Sequence, residues 1–259
     1  MAKGHVTLVG AGPGDPELLT LKAVKALAQA DVIVHDRLVS EAVLAVAPES
    51  VARISVGKAP GRHSFRQEEI NDLLVQLGAQ GLRVVRLKGG DPFIFGRGCE
   101  EIAALRAAGL SWSVVPGITA AQGCAASAGV PLTHRGLARS VRYVTGHCRE
   151  DENLNLDWAG MADPETTLVF YMGHAAAPHI ARELTAHGMS SDTPALCISQ
   201  GTTPQERRIF TRLDRLTSDL QKANLPGPLL IMIGQAIGEA SGDARSGEDA
   251  GVSAAQISG

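Results

Sequence analysis

The chain has 259 residues, 44% hydrophobic and 20% charged, a length and balance that allow a sizeable core and exclude disordered, collagen-like and coiled-coil classes. Aromatics make up only 3%, too few for the rows of stacking platforms used by single-stranded nucleic-acid binders. The formal charge is −3, and residues 239–259 carry Glu239, Asp243, Glu248 and Asp249 against Arg245, so residues 1–238 are neutral overall and present no global basic field to nucleic acid or a membrane surface.

The opening MAKGHVTLVG enters a strand at once, without the sections of a signal peptide, and no apolar run approaches about 18 residues. Cys99, Cys124, Cys148 and Cys197 are widely spaced, with no C-x-x-C pair and no zinc-ligand spacing. A cytoplasmic protein with reduced thiols and no metal is expected.

HVTLVG (5–10) starts a βαβ rhythm that continues with a helix over 17–30, DVIVH (31–35), VARISV (51–56), a helix over 67–80 and RVVRLK (83–88). A helix over 100–108, WSVV (112–115) and an Ala-rich helix after Pro116 extend it. The near-continuous apolar strands suit a parallel sheet covered on both faces. Pro131 and a basic stretch change the pattern, so an N-terminal, mostly parallel α/β domain is expected over 1–130.

A second α/β domain is expected over 131–238, with strands SVRYVT (140–145), TTLVFYM (166–172) and PALCIS (194–199) and a helix around 178–187. The stretch 148–165 reads as polar and irregular, QERRIFTRL (205–213) as a half-exposed strand, and PLLIMIG (228–234) as a last buried strand, giving a mixed sheet. Residues 239–259 lack apolar periodicity and read as a disordered tail without a catalytic role.

Gly10-Ala11-Gly12-Pro13-Gly14-Asp15-Pro16 ends the first strand in small residues that let a ligand approach the backbone. A dinucleotide fingerprint would need glycine where Asp15 stands, and Pro13 and Pro16 remove donors for a pyrophosphate, so that reading is disfavoured. A plain tight turn remains the alternative. The segment Lys88 to Gly98 holds four glycines, two Phe and three charges, and follows a strand where open α/β sheets bind ligands. Arg97 and Glu100 lead into the next helix, where an exposed ion pair is the competing reading. Val115-Pro116-Gly117, Tyr171-Met172-Gly173 and Gln200-Gly201-Thr202 repeat the pattern of a strand followed by a small-residue turn.

Arg37, Lys58, Arg62, His63, Arg97, Arg135, Arg139, Arg142 and His147 form a locally basic set in a neutral body, which fits an anionic small molecule gripped by Arg forks and Lys point charges, with an ordinary solvated face as the alternative. Asp36 and Lys58 follow neighbouring strands and place an acid beside a base. For Asp36 the competing readings are a helix cap or a salt bridge with Arg37.

In order along the chain, VGAGPGDPELLTLKA, HDRLVS, VGKAPGRHS, RLKGGDPFIFGRGCEE, VPGITAA, GVPLTHRG and YMG resemble the tetrapyrrole methylases. The likeness runs from about Val6 to Gly234, and the pairing of GGDPFIFGRG with PLTHR carries most of its specificity. It implies a homodimer of two-domain α/β subunits, distinct from the common Rossmann-like methyltransferases, with the active site in the cleft between domains. It also implies S-adenosylmethionine as methyl donor, S-adenosylhomocysteine as product, and methylation of uroporphyrinogen III at C2 and C7 to precorrin-2. By the same likeness Pro13, Gly89, Gly90, Asp91, Ile94, Thr119, Ala120, Met172 and Gly201 line the cofactor site. Asp36 becomes a proton acceptor and Lys58 a proton donor, while Arg97, Glu100, Arg135 and His147 fall to the tetrapyrrole, with Arg97 a rival for the proton chemistry. His35 departs from the family, where Tyr is frequent before the Asp-Arg pair. Other precorrin methylation, ribosomal-RNA methylation and non-catalytic tetrapyrrole binding remain open at this point.

Overall fold

The computed structural model describes residues 4–57, 65–146 and 154–240. Lys58, Arg62, His63, His147, Cys148 and 241–259 lie outside the described residues. The chain forms two compact units. The first comprises Met1–Ser127 with Ile198–Arg207 and Pro226–Pro228, and the second Ala128–Cys197, Arg208–Leu225 and Leu229–Gly259.

In the first unit β1 (His5–Gly10), α1 (Leu21–Gln29), β2 (Val32–His35), α2 (Glu41–Leu44), β3 (Ala52–Ser55), α3 (Gln67–Ala79), β4 (Arg83–Lys88), α4 (Gly98–Ala107), β5 (Ser111–Val115) and α5 (Ala120–Ala128) follow the expected alternation. The strands lie in the order β3-β2-β4-β1-β5, with parallel neighbours throughout. Successive side chains of a strand point to opposite faces, so each strand feeds two cores. Val9, Ile33, Val85 and Leu87 pack with Ala23, Leu27 and Val43. Val6, Leu8, Val34 and Val84 pack on the other face with Leu74, Ile102 and Leu105.

The helix expected over 17–30 is split by two caps. Asp15 Oδ1 accepts from Glu17 N at 2.9 Å and holds a 3₁₀ turn, Pro16–Leu18. Thr20 Oγ1 then accepts from Ala23 N at 3.1 Å and starts α1 afresh. Ser40 caps the short α2 through Val43 N at 3.2 Å.

The second unit holds β6 (Ser140–Thr145), α6 (Trp158–Met161), β7 (Thr166–Tyr171), α7 (Ala177–Ala186), β8 (Pro194–Ser199), β9 (Arg207–Arg212), α8 (Leu216–Ala223) and β10 (Leu229–Ile233). Its sheet runs β6-β7-β10-β8-β9. β6 is parallel and β10 antiparallel to β7, so the sheet is mixed as expected, and every residue of β10 is buried. The stretch read as irregular contains α6, opened by Asp157 Oδ1 accepting from Gly160 N at 3.0 Å. A 3₁₀ run, Gln235–Ala240, ends the described chain. No described helix is long and apolar enough to cross a membrane.

Candidate active site

Because β1 to β5 are parallel, their carboxyl ends share one edge, and there three backbones meet. Gly12 N donates to Gly90 O at 3.2 Å and Gly90 N to Gly12 O at 2.7 Å. A Cβ on Gly10 would lie 2.5 Å from Gly117 N, and one on Gly117 2.3 Å from Gly90 O. Glycine is what permits this approach. Gly90 has φ +67°, and among the described residues a Cβ there would meet only Ala120 N, at 3.8 Å, so its backbone faces open space beside the start of α5. Asp91 Oδ1 accepts from Phe93 N at 2.8 Å and Oδ2 from Gly117 N at 3.0 Å, which commits the carboxylate to tying the loops after β4 and β5 together.

Pro13 rests on α5 so closely that a Cβ on Gly123 would sit 2.4 Å from its Cγ. The segment after β8 closes on the same loop. Thr202 Oγ1 accepts from Asp15 N at 3.2 Å, and Glu206 Oε2 accepts from Thr202 N at 2.5 Å and Ser127 Oγ at 2.7 Å. A Cβ on Gly201 would come within 2.2 Å of Cys124 Sγ. Pro13, Gly89, Gly90, Asp91, Ile94, Thr119, Ala120 and Gly201 therefore all belong to the first unit. Met172 belongs to the second, where it leaves β7 at φ 56° with its side chain exposed.

Asp36 follows β2 with its side chain 30% exposed. Among the described residues its ion-pair partner is Arg86, whose Nη2 donates to Oδ1 at 2.7 Å, and not the adjacent Arg37. Arg86 is buried on β4 and donates from Nε to Glu101 Oε1 at 2.9 Å, an oxygen that also accepts from Lys88 Nζ at 2.9 Å. Burial opposes the charge on Arg86, but the Asp36 and Glu101 carboxylates hold its guanidinium above the usual range. Burial, helped by neighbouring Arg86, pulls the Lys88 ammonium down, against the two carboxylates. Sequence reasoning passed over this network. Its signal was two cations at alternate positions of RVVRLK, a strand otherwise fit for burial.

Arg97 and Glu100 form an exposed ion pair, Nε to Oε1 and Nη2 to Oε2, both 2.7 Å. Their hydrogen bond raises the guanidinium and lowers the carboxyl from their usual values. Arg97 has φ 57° and is the residue before α4. Arg135 is exposed in the second unit, on a tight turn where His134 and Ala138 pair and Gly136 has φ +87°. Arg139 is bound to Glu165 at 2.6 Å. Lys58 and His147 lie outside the described residues.

The edge suits a nucleoside-like group held by backbone and small apolar surface: Gly90 presents open backbone, Pro13 a ring, and the one carboxylate of its loop is already used by backbone donors. Comparison with known proteins points the same way. The family model described as tetrapyrrole (corrin/porphyrin) methylases matches residues 5–217. The uroporphyrinogen-III C-methyltransferase of Paracoccus denitrificans is 58% identical over 231 residues, covering 89% of this chain and 80% of that protein. A siroheme synthase of Pseudomonas paraeruginosa is 52% identical over 237 residues, 92% of this chain but 51% of that protein, so the chain spans about half the length of such relatives. The crystal structure of uroporphyrin-III C-methyl transferase from Thermus thermophilus with S-adenyl homocysteine superposes with a TM-score of 0.77 at 42% identity, covering 90% of this chain and 99% of that one.

Proposed function

The chain belongs to the tetrapyrrole methylase family, and on that premise we propose that it methylates uroporphyrinogen III at C2 and C7 with two S-adenosylmethionines, yielding precorrin-2 and two S-adenosylhomocysteines. The observation that carries this reading is the meeting of the Gly10, Gly90 and Gly117 backbones beside the anchored Asp36 carboxylate, at one edge of a parallel sheet. S-adenosylmethionine supplies a methyl group on a sulfonium that already carries its leaving group. What remains for the protein is positioning, exclusion of water and removal of the proton released after each methylation.

Pro13, Gly89, Gly90, Asp91, Ile94, Thr119, Ala120, Met172 and Gly201 hold the donor, mostly through backbone and small apolar surface. Asp36 accepts the proton lost after methylation, and Lys58 is a proton donor to the macrocycle, each proton it delivers being matched by another removed from a second position, so that one proton leaves per methyl group added. Arg97, Glu100, Arg135 and His147 hold the tetrapyrrole, whose several carboxylates suit guanidinium forks. Arg97 is a clamp in this scheme, since a guanidinium is too weak an acid to cycle as a base. The protein works as a cytoplasmic homodimer, with domains 1–130 and 131–238 followed by a non-catalytic tail, 239–259.

Anaerobic incubation with S-adenosylmethionine and enzymatically made uroporphyrinogen III tests the reading by product mass and released S-adenosylhomocysteine. Two methyl groups per macrocycle, with matching S-adenosylhomocysteine, are expected. Donor binding without methylation would move the acceptor to later precorrins. Near-normal turnover by Asp36→Asn would remove Asp36 from the proton chemistry.

A further inference from the structure

Four charged side chains share the face of the first sheet that packs on α3 and α4. Arg86 and Lys88 stand two residues apart on β4 and so project to the same face. Glu101, fully buried on α4, takes both on one oxygen, and Asp36 takes the far end of Arg86. The guanidinium is held at all three nitrogens: Nε by Glu101 at 2.9 Å, Nη2 by Asp36 at 2.7 Å, and Nη1 by the Val34 and Leu87 carbonyls at 3.4 and 3.3 Å. Glu101 Oε2 is buried without a hydrogen-bond partner among the described residues.

Stability does not account for this arrangement. Well-packed apolar residues in place of a buried ionic group are often neutral or better, and a buried carboxylate oxygen without a partner among the described residues is a further cost. The network reaches solvent at one place, the Asp36 carboxylate, whose side chain is 30% exposed against 4% or less for the other three. Resting on the reading of Asp36 as proton acceptor, we propose that Arg86 is a positioning residue that aims this carboxylate, and that Glu101 fixes the direction of Arg86. The planar fork makes the arrangement directional, because one guanidinium spans two carboxylates that a lysine ammonium reaches only as a point charge. Lys88 is the second cation on Glu101, so that two cations face two carboxylates at the root of the Gly89-Gly90 loop.

The test uses the full chain, with anaerobic steady-state kinetics, calorimetric binding of S-adenosylhomocysteine and thermal unfolding. Glu101→Gln and Arg86→Lys are expected to lower kcat about tenfold or more, as loss of orientation does. The KM for the tetrapyrrole and the Kd for S-adenosylhomocysteine should stay within about twofold. Asp36→Asn is expected to lower kcat about a hundredfold or more, and adding Glu101→Gln to it should cost nothing further, because the carboxylate being aimed is already gone. A fall in the double variant by the same factor as in Glu101→Gln alone, or loss of product binding in step with kcat, would overturn the proposal. If Asp36→Asn is impaired while Glu101→Gln and Arg86→Lys are normal, the proton-acceptor reading survives and the positioning role falls. If Asp36→Asn turns over normally, both fall. Arg86→Lys, which keeps charge and most of the bulk, carries the test should Glu101→Gln fail to fold.

Discussion

Arg97 and Glu100 already satisfy each other, two hydrogen bonds of 2.7 Å joining guanidinium to carboxylate on the open side of the first unit. A tetrapyrrole carboxylate that takes Arg97 must therefore displace a partner one helical turn away. The exchange is cheap because side chains 55% and 48% exposed form a pair worth about 0–1 kcal/mol. Arg97→Ala should raise the KM for the tetrapyrrole about 10- to 100-fold, the value of a charge-assisted hydrogen bond. Calorimetry should find S-adenosylhomocysteine binding unchanged. An equal loss of both affinities would show that Arg97 shapes the loop and not the tetrapyrrole contact.

Gly117→Ala places a methyl group 2.3 Å from Gly90 O, where the obstacle is backbone. The two loops must separate, at about 1–3 kcal/mol of stability by the usual cost of overpacking, and the Asp91 staple to Gly117 N opens with them. S-adenosylhomocysteine binding should fall below detection while denaturant unfolding shows a folded protein. Gly129→Ala, where no heavy atom of the described residues lies within 4 Å of the added methyl group but φ is +69°, is the control: backbone strain without a clash, and binding retained.

Asp31 gives a pH-dependent term far from the site. Arg83 donates to its carboxylate from Nη2 at 2.6 Å, from Nε at 3.1 Å and from its backbone N at 2.7 Å. These bonds to Arg83 lower the Asp31 carboxyl from 3.8 to about 2. The folded value lies below the unfolded one, so the stabilisation is fully present above pH 3.8 and disappears as pH falls toward about 2. The pair is exposed, and Asp31→Asn should cost no more than about 1 kcal/mol at neutral pH. Denaturant titrations of wild type and variant should converge as pH drops through that window.

The described thiols differ in reactivity. Cys99 is exposed, whereas burial pushes the Cys197 thiol up to about 12, which leaves almost no thiolate at pH 8. Brief treatment with iodoacetamide should label the peptide containing Cys99 and spare that of Cys197 until denaturant is added. Labelling of Cys197 in the native protein would show that the β8 core opens locally.

Most of the fold was legible because apolar β-branched runs alternate with longer Ala- and Leu-rich stretches, a pattern that few architectures satisfy. What escaped were α2 under Ser40, α6 under Asp157 and the restart of α1 at Thr20, each set by a single cap and not by periodicity, and α8, which has no side-chain cap hydrogen bond and comes next in the chain after β9. The loops of the candidate site were legible as glycine clusters, but the partner of Asp36 was not. Sequence adjacency offered Arg37, while the strand order sets β4 beside β2 with Val34 opposite Arg86, two residues before Asp36. That neighbour exists only once the crossover topology is known.

The assignment of Ile198–Arg207 to the first unit bears on biosynthesis. Thr202, held by Asp15 and Glu206, belongs to a segment translated only after β6, β7 and β8, although the loop it braces is translated among the first residues of the chain. A nascent chain can pair the five parallel strands early, yet the turn that braces Pro13 and Gly14 arrives late. If the loop holds the methyl donor as proposed, ligand capture is tied to near-complete synthesis. A protease cut between Ile198 and Arg207 would disable the first unit from a point remote in sequence, leaving its own strands whole.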